Sequence, residues 1–302
     1  MFRLGHLSDV HLGPIPSLRL RDLFSKRVVG YANWRHGRAG VLTSQSLDRL
    51  VDDLRAQRPD HIAVTGDLTN IAMRAEFLSA RGWLEALGPP DRVTAIPGNH
   101  DAYVPGAHRR FRRLWAPWMV SDDAEHVGRA LFPFMRRKGH VALIGVSSAV
   151  ASAPFMATGR VGQRQTDRMT ELLDAARKEG LFRVILIHHP PKLINPANQW
   201  RKLTDGRRFR AAIEQHGAEL ILHGHDHTRS MTAIKGASGV VPVVGVPAGS
   251  GPTLGGPRAG GYALHEISES GPCYELNVIH RGYGKSGEIV ETARVSYSVN
   301  RP

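Results

Sequence analysis

The chain has one cysteine, Cys273, in 302 residues. No internal disulfide can form, and no thiolate-rich zinc site can be assembled. That usage fits a reducing, cytoplasmic setting, with Cys273 as a bystander. Long apolar runs are also missing: none approaches the ~20 residues of a membrane span. The opening residues, Met1-Phe2-Arg3-Leu4-Gly5-His6, carry no apolar signal core and no small-residue cleavage site. They enter a strand-like segment at once. The chain shows no elbow motif that would present a nucleophilic serine or cysteine. Acids are in deficit: 27 Asp and Glu stand against 40 Lys and Arg, giving +13 and a pI near 10.5. The imbalance favours anionic partners, whether phosphorylated metabolites, acidic lipid surfaces or nucleic acid. A basic proteome background explains it as well. No aromatic-basic nucleic-acid motif is present, so nucleic acid is not an expected partner.

What is present is an alternation of apolar runs and helical periods. Phe2 to Ser8 reads as a strand, and Ser44 to Gln57 as a helix with Leu47, Leu50, Val51 and Leu54 at helical spacing. His61 to Thr65 is a short buried strand. Ala72 to Leu87 is a helix with Phe77, Leu78, Trp83 and Leu84 assigned to its inner face. A further strand precedes Gly98, and a short helix or ordered loop runs from Ala107 to Trp118. Leu131–Arg137 and His140–Val146 form an antiparallel pair around Lys138-Gly139. Helix Gln163–Gly180, strand Phe182–Ile187, helix Gly206–His216 and strand Glu219–Leu222 follow. Beyond residue 228 the helical periods vanish and strand-like segments continue to the end. The reading is α/β: two sheets layered between helices, with a mostly antiparallel C-terminal part. We expect one domain over 1–302, with a basic and aromatic insert at about 14–40 and a β-rich segment at about 228–302.

Five separate strands end in metal-ligand residue types: Asp9 and His11, Asp67, Asn99 and His100, His188 and His189, His225 and His227. Turn chemistry explains an Asp or Asn. It does not explain histidines arriving repeatedly after apolar runs. Oxygen and nitrogen donors without thiolate suit Mn, Fe, Co or Zn. Alternate residues of an extended strand point to opposite sides, so Asp9-x-His11 and His225-x-His227 must sit on turns. Gly13, Gly66, Gly98 and Gly224 are expected to permit those turns. Seven or eight ligands exceed one ion's needs; they match two ions sharing a carboxylate, ~3.5–4 Å apart.

Asp9-x-His11, Gly66-Asp67, Gly98-Asn99-His100-Asp101, His188 and Gly224-His225-x-His227 together resemble the calcineurin-like metallophosphoesterases, in the family's motif order over residues 9 to 227. The resemblance implies a four-layer α/β/β/α sandwich with two mixed central sheets. It implies that Asp9, His11 and His227 bind a first metal, that Asp67 bridges, and that Asn99, His188 and His225 bind a second, the ions being Mn, Fe or Zn. His188 is preferred over His189 because the family's ligand lies two residues before a proline, here Pro190. His100 is expected to protonate the leaving group or stabilise the transition state. Asp101 either orients His100 or caps the turn. The implied reaction is in-line attack on phosphorus by a hydroxide bridging the metals. Leu68-Thr69-Asn70 after Asp67 departs from the protein Ser/Thr phosphatases, which place Asp-Arg there, and from the purple acid phosphatases, which place a metal-binding Tyr. The pattern is most similar to bacterial class III cyclic-nucleotide-phosphodiesterase-like members, so a phosphodiester is the preferred substrate.

The insert carries Arg19, Arg21, Lys26, Arg27, Arg35 and Arg38 interleaved with Leu18, Leu20, Leu23, Phe24, Tyr31 and Trp34. Three readings apply: a solvated flap, a lid that binds phosphate through Arg, and a contact with anionic membrane through residues 15–38. The membrane contact places the protein at the inner membrane face. Other functions stay open beside the diesterase: a phosphomonoesterase, a hydrolase of lipid-linked pyrophosphate, and a silent metal-binding scaffold.

Overall fold

The structure is a computed structural model that describes residues 1–17, 25–28, 30–31, 44–122 and 131–301. Of the insert, Lys26, Arg27 and Tyr31 fall within these residues; Leu18, Arg19, Leu20, Arg21, Leu23, Phe24, Trp34, Arg35 and Arg38 lie outside the described residues. The elements run β1 (Phe2–Leu7), α1 (Ser44–Ala56), β2 (His61–Val64), α2 (Arg74–Leu87), β3 (Val93–Ala95), α3 (His108–Leu114), β4 (Phe134–Lys138), β5 (Val141–Gly145), α4 (Gln163–Lys178), β6 (Phe182–Leu186), α5 (Gly206–His216), β7 (Leu220–His223), β8 (Ser230–Gly236), β9 (Gly239–Gly245), β10 (Gly261–Ser270), β11 (Cys273–Tyr283) and β12 (Ile289–Asn300).

Two six-stranded sheets result, ordered β12-β11-β10-β1-β2-β3 and β4-β5-β6-β7-β9-β8. Both are mixed. In the first, β1, β2 and β3 are parallel and β10 to β12 antiparallel. In the second, β5, β6, β7 and β9 are parallel between antiparallel edges β4 and β8. The C-terminal segment is therefore divided. β8 and β9 complete the second sheet, with β9 parallel to β7, whereas β10 to β12 extend the first.

Period-2 side-chain alternation makes the layers. Leu143, Val184 and Leu222 of the second sheet share a core with Leu4, Val64, Leu264 and Val278 of the first. Their neighbours Ala142, Ile144, Ile185 and Ile221 face the other way. These pack with Met169 and Leu173 of α4 and Phe209 and Ile213 of α5. On the outer side of the first sheet, Gly5 leaves room for Leu54 of α1; a Cβ there would meet it at 2.8 Å. Full burial of each large apolar side chain contributes about 1.5–3 kcal/mol. The layering is the expected four-layer α/β/β/α sandwich.

One face assignment needs correcting. The buried face of α2 is Glu76, Phe77, Ala80, Leu84 and Leu87. Leu78 is exposed, because it follows Phe77 by one residue and so lies about 100° around the helix. Glu76 is buried for a local reason: its carboxylate accepts from the N–H of Asn70 (2.6 Å) and of Met73 (2.8 Å) at the helix start.

A buried ion pair ties β6 to the start of β7. Arg183 Nη2 donates to Glu219 Oε1 at 2.6 Å and its Nε to Oε2 at 2.9 Å, both side chains almost fully enclosed. Removing one partner strands the other charge. Glu219→Ala is therefore expected to lower unfolding free energy by about 3–5 kcal/mol. The double substitution Arg183→Met/Glu219→Met is expected to regain much of that loss in denaturant unfolding.

Candidate metal centre

The parallel strands of each sheet end at one edge of the sandwich. In the first sheet Leu7 pairs with Val64, and Val64 with Ala95. In the second, Leu186 pairs with Leu222. The segments just past these ends are stitched together by backbone hydrogen bonds. Asp9 N donates to Gly66 O (3.0 Å), His11 N to Asp67 O (3.0 Å), Gly249 N to Ser8 O (2.8 Å) and Gly224 N to His188 O (3.2 Å). One bond crosses between the sheets onto a candidate ligand: His225 N donates to Asp9 Oδ2 at 3.0 Å.

The turns are made differently from expectation. Asp9, His11, Asp67, His225 and His227 themselves take left-handed backbone conformations, with φ of 53°, 40°, 56°, 72° and 55°. Such geometry is uncommon for non-glycine residues and is stored where surrounding structure enforces it. Of the four glycines, only Gly66 has positive φ. Gly98 and Gly224 act through size: a Cβ on Gly98 would strike the Asp67 carboxylate, and one on Gly224 would strike Ser8 Oγ and Asp9 Oδ2.

Asp9, His11, Asp67 and His227 bring one ligand atom each within 4.8 Å of one another. His227 Nε2 lies 3.0 Å from Asp9 Oδ1. His11 Nε2 lies 3.9 Å from both Asp9 Oδ1 and Asp67 Oδ2. Asp67 Oδ2 also faces a second group. His188 Nε2 is 3.3 Å from it and 3.1 Å from Asn99 Oδ1. The His225 and His188 rings meet edge to face at 5.1 Å. The other five residues named from the sequence thus lie around Asp67 and Asp9.

These residues fit cations. His188 Nδ1 donates to Thr65 O at 2.7 Å, so its Nε2 lone pair faces two acceptor oxygens. His11 Nδ1 sits against Thr69 O at 3.2 Å, and its Nε2 meets His227 Nε2 at 3.3 Å. His225 Nε2 faces Arg201 O at 3.0 Å, leaving Nδ1 with the lone pair. Asp9 Oδ1 is buried beside His227 Nε2. Carboxylate oxygens and imidazole nitrogens converge here, a donor set that fits a bound cation once the rings are neutral. Burial works against charge on both carboxyls. The imidazoles outweigh it, His227 first at Asp9 and His188 first at Asp67, and hold both below the usual carboxylate range. Burial likewise lowers His188, but the Asp67 and Asp9 charges exceed it and lift the ring to about 9. Burial keeps His225 neutral, the ligand-competent form.

His189 turns away from this group, with Nδ1 2.7 Å from Ser148 Oγ and Nε2 3.1 Å from Ala157 O. His223 is enclosed against Gly224 O and Ser230 Oγ. His100 lies at the open side. Its ring packs on the edge of His11 at 4.8 Å and stacks on Tyr103 at 5.6 Å, and its Nδ1 faces Asn70 O. Asp101 is fully buried. Its carboxylate accepts from the N–H of Gly98 (2.8 Å), Asp67 (2.9 Å), Leu68 (3.3 Å) and Thr69 (2.9 Å), and from the Thr69 hydroxyl (2.9 Å). Those bonds clamp the Gly98 turn to the Asp67 loop, as the turn-capping reading requires. Burial and the Asp67 charge push its carboxyl up to about 7 against the pull of these donors.

Arg201 and Ser148 were not anticipated. Neither lies in a motif; Arg201 reaches His225 from 24 residues away. Gly224→Ala is expected to weaken metal affinity about 10–100-fold by displacing Asp9, read by calorimetric titration. Gly82→Ala, whose Cβ meets nothing within 4 Å, is expected to leave it unchanged.

Known proteins are similar to this chain over most of its length. The family model described as calcineurin-like phosphoesterase matches residues 2–229. A glycerophosphodiester phosphodiesterase, GpdQ, of Enterobacter lignolyticus is 27% identical over 239 residues, covering 78% of this chain and 74% of that protein. A probable cyclic nucleotide phosphodiesterase of Synechococcus sp. is 28% identical over 226 residues, covering 74% and 72%. A dimetal phosphatase from Danio rerio shares the fold, with a TM-score of 0.63 at 13% identity over 99% of both chains. With the family's motifs assembled around one carboxylate, the chain belongs to the calcineurin-like phosphoesterases and is a metal-dependent phosphoester hydrolase.

Proposed function

We propose that the chain is a phosphodiesterase whose centre holds one ion between Asp9, His11 and His227 and a second between Asn99, His188 and His225, with Asp67 shared. The observation that carries this reading is the position of Asp67 Oδ2, 3.9 Å from His11 Nε2 and 3.3 Å from His188 Nε2. Bound ions would lower the pKa of water and offset phosphate charge. The oxygen and nitrogen donors suit Mn, Fe or Zn. The chain's own residues do the rest. Asp67 Oδ1 accepts from His100 N at 2.7 Å, which fixes the bridging carboxylate and His100 together. The Asn70 carbonyl accepts from His100 Nδ1, so the imidazolium form of His100 would carry a second proton on Nε2, give it to the departing alkoxide and return to the neutral ring. Asp101 acts by clamping the loops rather than by touching substrate.

The diester preference is supported by two relatives whose names specify phosphodiesters. A small anionic phosphoester is the substrate class, and the net charge of +13 suits it. The chain is read as one metallophosphoesterase domain, since β8 and β9 serve one sheet and β10 to β12 the other. A cytoplasmic site is the matching location. Contact of the 15–38 insert with anionic membrane remains part of the reading, supported by its Arg and aromatic content.

The test is hydrolysis of bis(p-nitrophenyl) phosphate and p-nitrophenyl phosphate with added Mn²⁺. The diester is expected to give the higher kcat/KM. His100→Ala is expected to lower kcat about 10²–10⁴-fold with metal content unchanged. Equal turnover by wild type, His100→Ala and metal-stripped protein contradicts the assignment.

A further inference from the structure

Large exposed apolar side chains gather on two loops. Phe155 is 79% exposed, Trp200 48%, Ile194 44% and Met156 37%. Phe155 and Met156 belong to the loop after β5, Ile194 and Trp200 to the loop after β6. Ala157 N donates to Trp200 O at 2.9 Å, which joins the loops side by side. Phe155 also has a left-handed backbone, φ 63°. That conformation is a rare one for a bulky residue and holds the ring at the tip of its turn. Residues 141–159 and 193–200 contain no Asp, Glu, Lys or Arg, in a chain with 22% of them. The flanking charges are all positive: Arg160, Lys192, Arg201 and Lys202. No acid occurs at all in 126–166 or 180–204.

The second loop is fastened to the candidate metal centre, where Arg201 O meets His225 Nε2 at 3.0 Å, and the first to the adjoining His189, whose Nε2 meets Ala157 O at 3.1 Å. Lys26 Nζ donates to Met156 O at 3.0 Å and lies 4.6 Å from the Tyr103 ring, which stacks on His100. The apolar tips therefore stand at the mouth of the site.

Apolar tips flanked by Arg160, Lys192 and Lys202, with Arg201 turned to Asp226 at 3.8 Å, are complementary to an anionic bilayer. The aromatic and aliphatic groups insert at the headgroup boundary, while Lys and Arg meet phosphate. We propose that the 151–156 and 193–200 loops form an interfacial docking surface for anionic phospholipid, which turns the mouth of the metal centre toward the membrane. These loops are separate in sequence from the 15–38 insert, whose Lys26 is bonded to Met156 O and to Ser152. It does not depend on which phosphoester is hydrolysed.

Co-sedimentation of the full chain with vesicles tests it. Binding is expected to phosphatidylglycerol-containing vesicles at low salt, and to be far weaker with pure phosphatidylcholine. Phe155→Ser/Trp200→Ser is expected to reduce binding about tenfold or more, and Lys192→Glu/Lys202→Glu to abolish its salt dependence. Both variants keep turnover of soluble bis(p-nitrophenyl) phosphate, which reads the metal centre separately from the surface. Wild-type protein left in the supernatant with both vesicle types overturns the proposal. So does unchanged binding by Phe155→Ser/Trp200→Ser. A wild-type dimer that this variant dissociates in sedimentation velocity assigns the patch to a second copy and also overturns it.

Discussion

The centre depends on one carboxylate held from both sides. Asp67 is buried at the end of β2, and its Oδ1 is fixed by the His100 amide. Its Oδ2 looks toward His11 in one direction and His188 in the other. His11 comes from the first sheet's central strand and His188 from the second sheet. A charge shared between two sheets requires that the sheets stay in register. The large common core and the His225 N to Asp9 Oδ2 bond supply that constraint. An uncompensated pair of buried carboxylates would be costly. Here four imidazoles and the backbone donors of the loops offset it, and bound cations would complete the balance.

The chemistry is thereby separated from the scaffold's stability. Strands terminate in apolar layers packed to completion. The proposed ligands sit just beyond, five of them (Asp9, His11, Asp67, His225 and His227) in left-handed backbone that the layers hold in place. Asp101 shows the division of labour. It lies next to His100 in sequence, yet its carboxylate is spent on loop amides, whereas His100 faces the open side. Arg201 does similar work from a distant loop, presenting its carbonyl to His225.

Much of this was legible in the sequence because apolar runs and ligand types coincide locally. The ends of β1, β2, β3, β6 and β7 announce themselves; in the fold His188 faces Asp67 and Asn99, whereas His189 faces Ser148. Other features were hidden because they are tertiary. A left-handed ligand backbone is set by hydrogen bonds between loops far apart in sequence, not by residue type. Gly98 and Gly224 were expected to bend the chain, but their role is to admit a neighbour's carboxylate, a fact visible only once Asp67 and Asp9 are beside them. Leu78 was misassigned because four apolar residues in α2 cannot all share one face.

One shared carboxylate is proposed to organise two cation sites. Calorimetric titration of metal-stripped protein with Mn²⁺, paired with elemental analysis, reads the number of ions held. Two ions per chain are expected, with a joint loss of both when Asp67→Ala removes the shared oxygen. A single ion per chain, or two ions undisturbed by Asp67→Ala, would contradict it.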